Sequence, residues 1–426
     1  MKLAVVVQRY GADISGGAEL HARYVAERLA RHAQVEVLTT RATDYVTWRN
    51  ELPAGDETIN GVVVRRFPVS RQRHRIEFGH RSRFIFEHAH SLHHELRWLA
   101  SEGPRSPALL RHIAQRRNEF DFFIFFSFRY YHAYHGVGLV PSKAVLVPTA
   151  ERDPVVGMGI FPPMIRSARA IMYNSPEERV LLEAMSQRRG PGVVVGVGSE
   201  IPARTQPDRF RKARGLKRPF AVYVGRIDIN KGCRELFDYF QQYAARVPNG
   251  LDLVLIGSKH LEIPNHPRIR HLGFVSDEDK FDAIAASDVL IMPSPYESLS
   301  MVTLEAWALG RPVLVNGACD VLRGQCVRSG GGLYYENVDE FCEGLFRLEA
   351  SGPMGAALGR HGRAYYYRHY SWPVIEQKYL NMLERLAREP AVSPAEPAPG
   401  LIARRFRTRP PAADVLATLP SGPVVR

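Results

Sequence analysis

The segment DVLIMPSPYESLSMVTLEAWALGRPVLVNG, residues 288–317, decides the fold class. It begins with an apolar, strand-sized run that ends at Ser294, and the prolines on either side of Ser294 keep the chain out of a helix there. Ser300 can cap a helix that runs to Leu309, where a Gly-Arg-Pro sequence stops it before a second strand-sized run. The order strand, helix, strand predicts parallel strands that are covered by helices.

The same alternation extends along most of the chain and forms two series. The strand-like runs of the first series are KLAVVV, VEVLTT, VVVRRF, DFFIFFSF, AVLVPT, AIMYNS and GVVVGVG, and those of the second are FAVYVGR, LDLVLIG, IRHLGFV, DVLIMPS and PVLVNG. A segment rich in proline and charge, residues 199–219, separates the two series and reads as a linker or bridging segment. We therefore predict an α/β protein with two doubly wound, Rossmann-like domains that face each other across a cleft.

Size and composition set the domain boundaries that we expect. A chain of 426 residues with 45% hydrophobic residues exceeds what a single core normally supports. We place the first domain at residues 1–200 and the second at residues 201–370. Residues 365–388 have helical spacing with aromatic positions, and the proline- and alanine-rich tail at residues 389–426 is expected to be disordered.

Several classes of protein are disfavoured by the sequence. No run reaches the roughly 18 apolar residues that a membrane span needs. The N-terminus lacks the length and cleavage site of a signal peptide, which favours a cytoplasmic protein. The four cysteines match no CxxC zinc pattern and read as reduced thiols, so we expect no metal site.

The formal net charge of +13 is concentrated in part between Arg65 and Arg83, where seven arginines accompany one acid. Such a segment attracts an anionic membrane surface, and it is equally typical of a mobile, solvated loop. No nucleic-acid-binding module accompanies it, so we expect no nucleic-acid partner.

The first candidate binding element is the loop after the opening strand. Gly16 and Gly17 follow Ser15, which can cap a helix that starts at the two glycines. Glycines allow a ligand to approach the backbone, and the N–H groups of a helix start attract an anion. A Gly-Gly helix start needed only for tight packing explains the same residues.

The second candidate is VYVGRIDINKGCREL, in which Arg226 and Lys231 leave the first strand of the second domain. Open α/β sheets bind ligands at this end of their strands. Two fixed cations there can neutralise a diphosphate and stabilise negative charge that grows on a leaving group. They are otherwise two surface cations on a loop.

The third candidate lies within the opening segment, where Glu297 and Glu305 are eight positions apart. Eight helical residues span about 12 Å, close to the distance from a sugar to the ribose across a diphosphate. The backbone amides near Ser300, Met301 and Val302 would form an anion site at the helix start. The alternative is a surface acid together with an acid that faces the helix dipole.

In these pieces the chain resembles glycosyltransferase family 4, whose members have the two-domain GT-B fold. The matching elements are SGGAELHARYVAERLA, YVGRIDINKG, LVLIG and HLGFVSDEDKFDAIAASDVLIMPSPYESLSMVTLEAWALGRPVL, in family order. The resemblance implies a retaining transfer of a hexosyl group from a nucleoside-diphosphate sugar, without metal or other cofactor. It also implies that the first domain holds the acceptor, the second holds the donor, and residues 371–388 cross back to the first domain.

The resemblance implies a role for each candidate residue. Glu297 would contact the donor sugar and Glu305 the ribose hydroxyls, while Arg226 and Lys231 would bind the diphosphate. The amides of Gly16 and Gly17 and of Ser300, Met301 and Val302 would assist them. Phe274 and Val275 would face the nucleobase. Arg226, Lys231 and Glu297 are the expected catalytic group.

One departure from the family pattern concerns VPTAERDP, where Glu151 stands at the position at which many relatives have a histidine. An ionised carboxylate cannot donate a hydrogen bond, so its role must differ. Glu151 or Asp153 would then contact a donor or acceptor hydroxyl, and His132 and His135 are substitute candidates.

We therefore expect a glycosyltransferase that acts on a saccharide or lipid-linked saccharide acceptor in the synthesis of cell-surface polysaccharide or glycoconjugates. It would be cytoplasmic and peripheral on the inner face of the membrane. The rival interpretations are a sugar-nucleotide epimerase, a phosphorylase, which needs pyridoxal phosphate, and a non-catalytic nucleotide-sugar-binding protein. An epimerase would convert its donor without any acceptor.

Overall fold

The computed structural model describes residues 1–14, 16–391, 398–400 and 417. Its first domain is built on an eight-stranded sheet with the strand order β3-β4-β2-β1-β5-β6-β7-β8. All neighbouring strands are parallel except β3 and β4, which form an antiparallel hairpin at one edge. The strands are β1 (Lys2–Val6), β2 (Gln34–Thr40), β3 (Gly55–Ile59), β4 (Val62–Phe67), β5 (Phe122–Phe126), β6 (Ala144–Val147), β7 (Ala170–Tyr173) and β8 (Gly192–Val194).

Helices cover both faces of this sheet, because successive side chains of a strand point to opposite faces and both sets are apolar. In β5, for example, Phe122, Ile124 and Phe126 belong to one buried cluster and Phe123 and Phe125 to another. The helices are α1 (Gly17–Leu29), α2 (Arg75–Glu87), α3 (Leu92–Glu102), α4 (Pro107–Arg116), α5 (Tyr131–Leu139), α6 (Phe161–Ser167) and α7 (Pro176–Ser186), with a 3₁₀ helix at Pro154–Gly157.

The second domain contains a six-stranded, fully parallel sheet with the order β11-β10-β9-β12-β13-β14. Its strands are β9 (Phe220–Val224), β10 (Asp252–Ile256), β11 (Ile269–His271), β12 (Val289–Met292), β13 (Val313–Asn316) and β14 (Gly332–Tyr335). Its helices are α8 (Pro207–Arg214), α9 (Cys233–Arg246), α10 (Asp277–Ala286), α11 (Met301–Ala308), α12 (Asp320–Ser329) and α13 (Val338–Ala350). The predicted α/β class with two parallel-sheet domains is confirmed.

Two long helices lead from the second domain back to the first. They are α14 (Gly352–His369) and α15 (Trp372–Arg388), so the helical pattern at residues 365–388 is interrupted rather than continuous. A proline follows Trp372, and a proline is tolerated only in the first turn of a new helix. The hydroxyl of Tyr379 lies 3.2 Å from Nε2 of His21 in the first domain, which docks α15 against α1.

Two further expectations change in detail. The segment at residues 199–219 is not entirely a linker, since it includes α8. The basic segment is not one mobile loop: Arg65 and Arg66 lie in β4 and pair with acids, and the half-buried Arg73 pairs with Glu102. Much of the local positive charge is therefore already balanced within the first domain.

Of the tail predicted from residue 389 onward, most residues lie outside the described part of the chain. Within that part, Ala398 is buried in an apolar cluster of the first domain, and the hydroxyl of Tyr134 donates to the carbonyl of Pro399 at 2.6 Å. None of the helices among the described residues combines the length and the apolar character that a membrane crossing needs.

Candidate functional site

The cleft between the two sheets is lined by the loops that follow their strands, and contacts cross it at several points. Nδ2 of Asn174, after β7, lies 3.4 Å from the hydroxyl of Ser298, after β12. Arg152, after β6, forms a 2.8 Å ion pair with Asp320 at the start of α12. The carboxyl ends of the strands of the two sheets therefore meet, as the sequence pattern requires.

An ion pair between Lys231 and Glu297 lies at the centre of this edge, with 2.7 Å between Nζ and Oε1. Gly232 makes this approach possible: its φ is 72°, and a Cβ there would lie 2.2 Å from the carbonyl oxygen of Pro293. The βα loop after β9 can thus rest directly on the end of β12. Burial lowers the pKa of Lys231, but the charges of Glu297 and Glu151 outweigh burial and raise it above its ordinary value.

Arg226 stands at the mouth of the cleft with a side chain that is 40% exposed. Its guanidinium hydrogen-bonds to the hydroxyl of Tyr45, lies 5.2 Å from the Tyr45 ring and is 3.5 Å from Asp228. On the other side of Tyr45, the guanidinium of Arg9 lies 5.5 Å from the same ring. One arginine from each domain therefore flanks a single tyrosine.

Arg9 and Tyr45 were not predicted from the sequence as site residues. Arg9 follows β1 as Arg226 follows β9, so its position at a strand end was a usable signal. Nothing in the pattern around Tyr45 distinguished it from other loop tyrosines. Arg9 is held by hydrogen bonds to Glu19 at 2.6 and 2.9 Å and to the carbonyl of Thr43 at 2.6 Å.

The two glycines at the start of α1 have different surroundings. Gly16 has a φ of 154°, and a Cβ there would lie 2.3 Å from Oε2 of Glu19, so this position needs glycine for packing. A Cβ on Gly17 would meet nothing within 4 Å, so Gly17 leaves open space at the helix start. The proposed cap, Ser15, lies outside the described residues.

The helix that carries Glu305 begins as predicted. Ser300 is its N-cap with a φ of 69°, and its hydroxyl accepts from the amide of Thr303. Met301 and Val302 form the first turn. Glu305 is 3% exposed, and its Oε1 lies 3.1 Å from Nζ of Lys280, while its Oε2 has no hydrogen-bond partner among the described residues.

Burial raises the pKa of Glu305, and the charge of Lys280 and the nearby hydroxyl of Ser199 oppose this increase. Lys280 could not be identified from the sequence, because only the packing of α10 against α11 brings its side chain to Glu305. An unpartnered, buried carboxylate oxygen is costly unless a ligand group satisfies it. The arrangement thus suits a ligand hydroxyl.

The residues expected at the nucleobase lie in the loop between β11 and α10. Phe274 is 80% exposed, whereas Val275 is half-buried and packs against the core. A phenylalanine this exposed on a loop beside the cleft offers a flat face on which an aromatic base can stack.

Of the candidates in the first domain, three are engaged in structural contacts. Asp153 accepts from the amide of Val155 at 3.1 Å and pairs with Arg129 at 2.8 Å. His132 is buried in α5, and Nε2 lies 3.2 Å from the carbonyl oxygen of Phe126. His135 packs against two tyrosine rings, at centroid distances of 4.4 and 5.1 Å.

Glu151 is in a different situation, because its neighbours include the central ion pair. Burial and the charge of Glu297 raise its pKa to about 7, against the opposing charge of Lys231. The charges of Glu151 in the first domain and of Lys231 and Glu297 in the second domain therefore influence one another across the cleft.

The chain is similar to known glycosyltransferases in sequence and in fold. Residues 218–350 match the family model described as Glycosyl transferases group 1. An uncharacterised glycosyltransferase of Methanocaldococcus jannaschii is 26% identical over 187 residues, which is 41% of this chain and 47% of that protein. A GDP-mannose-dependent monoacylated alpha-(1-6)-phosphatidylinositol monomannoside mannosyltransferase of Corynebacterium glutamicum is 27% identical over 182 residues, 39% of this chain and 47% of that protein.

These matches span about half the length of the two curated relatives. Among solved structures, Anabaena HepE in complex with UDP and glucose aligns over 90% of this chain and 99% of its own, with a TM-score of 0.66 and 16% identity. The two-domain GT-B fold that the sequence resemblance implied is thereby confirmed.

Proposed function

We propose that this protein is a glycosyltransferase that moves a hexosyl group from a nucleoside-diphosphate sugar to a saccharide or lipid-linked saccharide. The observation that carries the proposal is the Lys231–Glu297 pair at the carboxyl edge of the second sheet, with Arg226 beside it. The group 1 glycosyl transferase match covers the strands that present these residues. The structural similarity to Anabaena HepE, which was solved in complex with UDP and glucose, supports a nucleoside-diphosphate sugar as the substrate.

In this proposal Lys231 and Arg226 bind the diphosphate, and Glu297 accepts hydrogen bonds from the sugar. Oε2 of Glu305, which has no partner among the described residues, accepts from the ribose. Phe274 stacks on the base. The positive charge that the leaving group needs comes from side chains, so the reaction requires neither a metal nor another cofactor.

The transfer retains the configuration of the anomeric carbon. The bond from that carbon to the diphosphate oxygen breaks, and the electron pair leaves with the diphosphate. The acceptor oxygen bonds to the carbon on the same face, and its proton passes to the departing phosphate oxygen. Lys231 and Arg226 stabilise the charge that develops on the diphosphate, while the first domain holds the acceptor.

A thermal-shift screen followed by a turnover assay tests the proposal. UDP, UDP-glucose and GDP-mannose are probes because a relative is described as GDP-mannose-dependent and a structural neighbour was solved with UDP and with UDP-glucose. GDP is added as the nucleotide product of GDP-mannose. A ligand at 100 times its Kd stabilises the fold by about 2.7 kcal/mol. Nucleoside diphosphate released only when a saccharide acceptor is present supports the proposal. An isomerised sugar without acceptor, or binding without turnover, contradicts it.

We further propose that the acceptor is presented at an anionic membrane surface, on the inner face of the membrane, where the protein would contribute to cell-surface polysaccharide or glycoconjugates. Helix α2 and the start of α3 expose both apolar and basic side chains: Ile76 and Leu92 are 66% and 46% exposed, and the side chain of Arg83 is 76% exposed. Each basic residue near such a surface adds about 1 kcal/mol of attraction.

Sedimentation with vesicles tests this contact. Phosphatidylglycerol-containing vesicles at low salt should sediment the protein, while phosphatidylcholine vesicles should not. Replacing Arg75, Arg83 and Ile76 with serine should weaken sedimentation, whereas Arg347→Ser on α13 should not. Equal sedimentation of both variants would contradict the assignment of this face.

A further inference from the structure

Glu151 occupies a fixed position at the cleft edge of the first sheet, just after β6. The amide of the preceding residue, Ala150, donates to the carboxylate of Glu178 at 2.5 Å. The following residue, Arg152, is tied to Asp320 of the second domain at 2.8 Å, and Asp153 is tied to Arg129 at 2.8 Å. These contacts restrain the chain on both sides of Glu151.

Five charged side chains interact electrostatically with the carboxyl group of Glu151. Glu297, Asp153 and Glu178 are acids, and Lys231 and Arg129 are cations. Both cations are already engaged: Nζ of Lys231 lies 2.7 Å from Glu297, and Arg129 binds Asp153 and, at 3.0 Å, Glu102.

Glu151 itself has no hydrogen-bond or ion-pair partner for its side chain within the part of the chain that the structure describes. A half-buried acid that lies among other acids and lacks a cation of its own favours its neutral form. This explains why burial, together with Glu297, raises the pKa of Glu151 to about 7.

We propose that Glu151 acts as a protonated carboxylic acid that donates a hydrogen bond to a hydroxyl of the transferred sugar, opposite the accepting carboxylate of Glu297. This inference rests on the proposed glycosyltransferase function. A neutral carboxylic acid offers one O–H donor, which an ionised carboxylate lacks. The sugar is then held between one donor and one acceptor, and both recognise hydroxyl groups.

Donor binding strengthens this arrangement. The diphosphate brings negative charge next to Lys231 and competes with Glu297 and Glu151 for that cation. Because the field at Glu151 becomes more negative, its proton is held more firmly in the donor complex than in the free protein. If Glu151 acted as a general base, donor binding would instead have to make it release its proton more easily.

The pH dependence of kcat/KM follows from the sign of this shift. The competent, protonated form is fully populated well below pH 7 and is lost as the pH rises through about 7, the pKa of Glu151. We therefore expect kcat/KM of the wild type to fall on the alkaline side and to level off about two- to tenfold lower, the usual effect of one lost hydrogen bond. If Glu151 had a purely structural role, its ionisation would not produce this decrease of kcat/KM at alkaline pH.

Two substitutions at this position separate donor from base. Glu151→Gln keeps an N–H donor that does not titrate, so its alkaline limb should flatten. Glu151→Ala removes the donor and should lower kcat/KM near pH 6 by about two- to tenfold, the usual effect of one hydrogen bond. Glu343→Gln on the surface of α13 is the matched control and should keep the wild-type profile. A Gln variant as impaired as Ala, or a wild-type rate that rises above pH 7, overturns the proposal.

A carbon-13 NMR titration of the glutamate carboxyl groups provides a readout that does not depend on turnover. The Glu151 resonance is assigned by its loss in Glu151→Gln, and it is followed with and without UDP. A pKa near 7 that increases when UDP binds supports the proposal, and an ordinary pKa of about 4.3 overturns it. If UDP-glucose and GDP-mannose both give no transfer in the wild type, the proposed function fails separately from this result.

Discussion

Replacing Lys231 with methionine is the sharpest test of the central ion pair. The change removes a cation whose Nζ lies 2.7 Å from Glu297 and keeps most of the side-chain volume. At an effective dielectric constant of about 20, a pair at this distance attracts by about 6 kcal/mol before the cost of desolvation is subtracted. The side chains are 26% and 13% exposed, so the pair is only partly desolvated. We therefore expect a net loss of stability of about 2–3 kcal/mol, somewhat below the range for fully buried pairs.

The effect on turnover has a separate cause. In the proposed reaction Lys231 stabilises the charge that grows on the leaving diphosphate. Loss of one such interaction typically lowers kcat by about 100-fold or more. Initial rates of nucleoside-diphosphate release, with the donor and acceptor that the screen identifies, measure this effect, and urea unfolding measures the stability.

Lys2→Met is the matched control, because Lys2 forms a 3.0 Å pair with Glu36 and the two side chains are 28% and 11% exposed. That pair lies at the opposite end of the strands in the first sheet, so its loss should affect stability without affecting turnover. The double variant Lys231→Met with Glu297→Gln should recover part of the stability, since no uncompensated acid remains, but none of the rate. A Lys231→Met enzyme whose kcat stays within about threefold of the wild type would refute the charge-stabilisation argument.

Three further predictions follow from other contacts. Replacing Lys280 with methionine should raise KM for the donor by about tenfold with little change in kcat, because Glu305 loses the cation that orients it; steady-state kinetics with an unchanged KM would contradict this. Tyr45→Phe should tighten UDP binding, measured by calorimetry, by about two- to fivefold, because the diphosphate no longer has to break the hydrogen bond between Arg226 and the Tyr45 hydroxyl. Weaker binding would show instead that Tyr45 contacts the ligand. Burial lowers the pKa of His132 to about 4, so its contribution to stability is complete above pH 6.5 and is lost as the pH falls toward 4. At pH 5 this loss amounts to about 2 kcal/mol, and urea unfolding of His132→Gln at pH 7 and pH 5 should show a correspondingly smaller difference.

The sequence predicted the features that depend on strand order and helix starts. Arg226 and Glu297 could be placed at one sheet edge because each directly follows an apolar run, and the cap at Ser300 followed from local residue chemistry. The partner of Glu305 could not be predicted in the same way. Lys280 lies on α10, and only the packing of α10 against α11 brings its Nζ within 3.1 Å of that carboxylate.

The same distinction applies to the first domain. His132 was a reasonable candidate for a site residue, yet the structure buries it within α5 against the carbonyl of Phe126. Burial of a helix face depends on what packs against it, which the sequence around a single histidine does not specify. Glu151 does follow β6, but the increase of its pKa depends on burial and on Glu297 of the second domain, which the residues around position 151 do not specify.

The charges in the cleft explain how the site remains stable before a substrate binds. Lys231 is neutralised by Glu297, Lys280 by Glu305, and Arg226 by the nearby Asp228. Each cation that is proposed to bind the donor is therefore already paired with an acid. In the proposed binding mode a diphosphate has to compete with Glu297 for Lys231 and with Asp228 for Arg226, and a sugar hydroxyl compensates by bonding to the carboxylate of Glu297.

This competition favours complete donors over isolated phosphates. Inorganic phosphate would displace the acids without satisfying them, and buried carboxylates that lose their cations are costly. A nucleoside-diphosphate sugar would supply the anion and the hydroxyls in one molecule, with the sugar at Glu297 and the ribose at Glu305 in the proposed binding mode. The two glutamates on either side of the start of α11 would thus recognise both ends of the donor, and Glu297 at the sugar end shares its cation, Lys231, with the departing diphosphate.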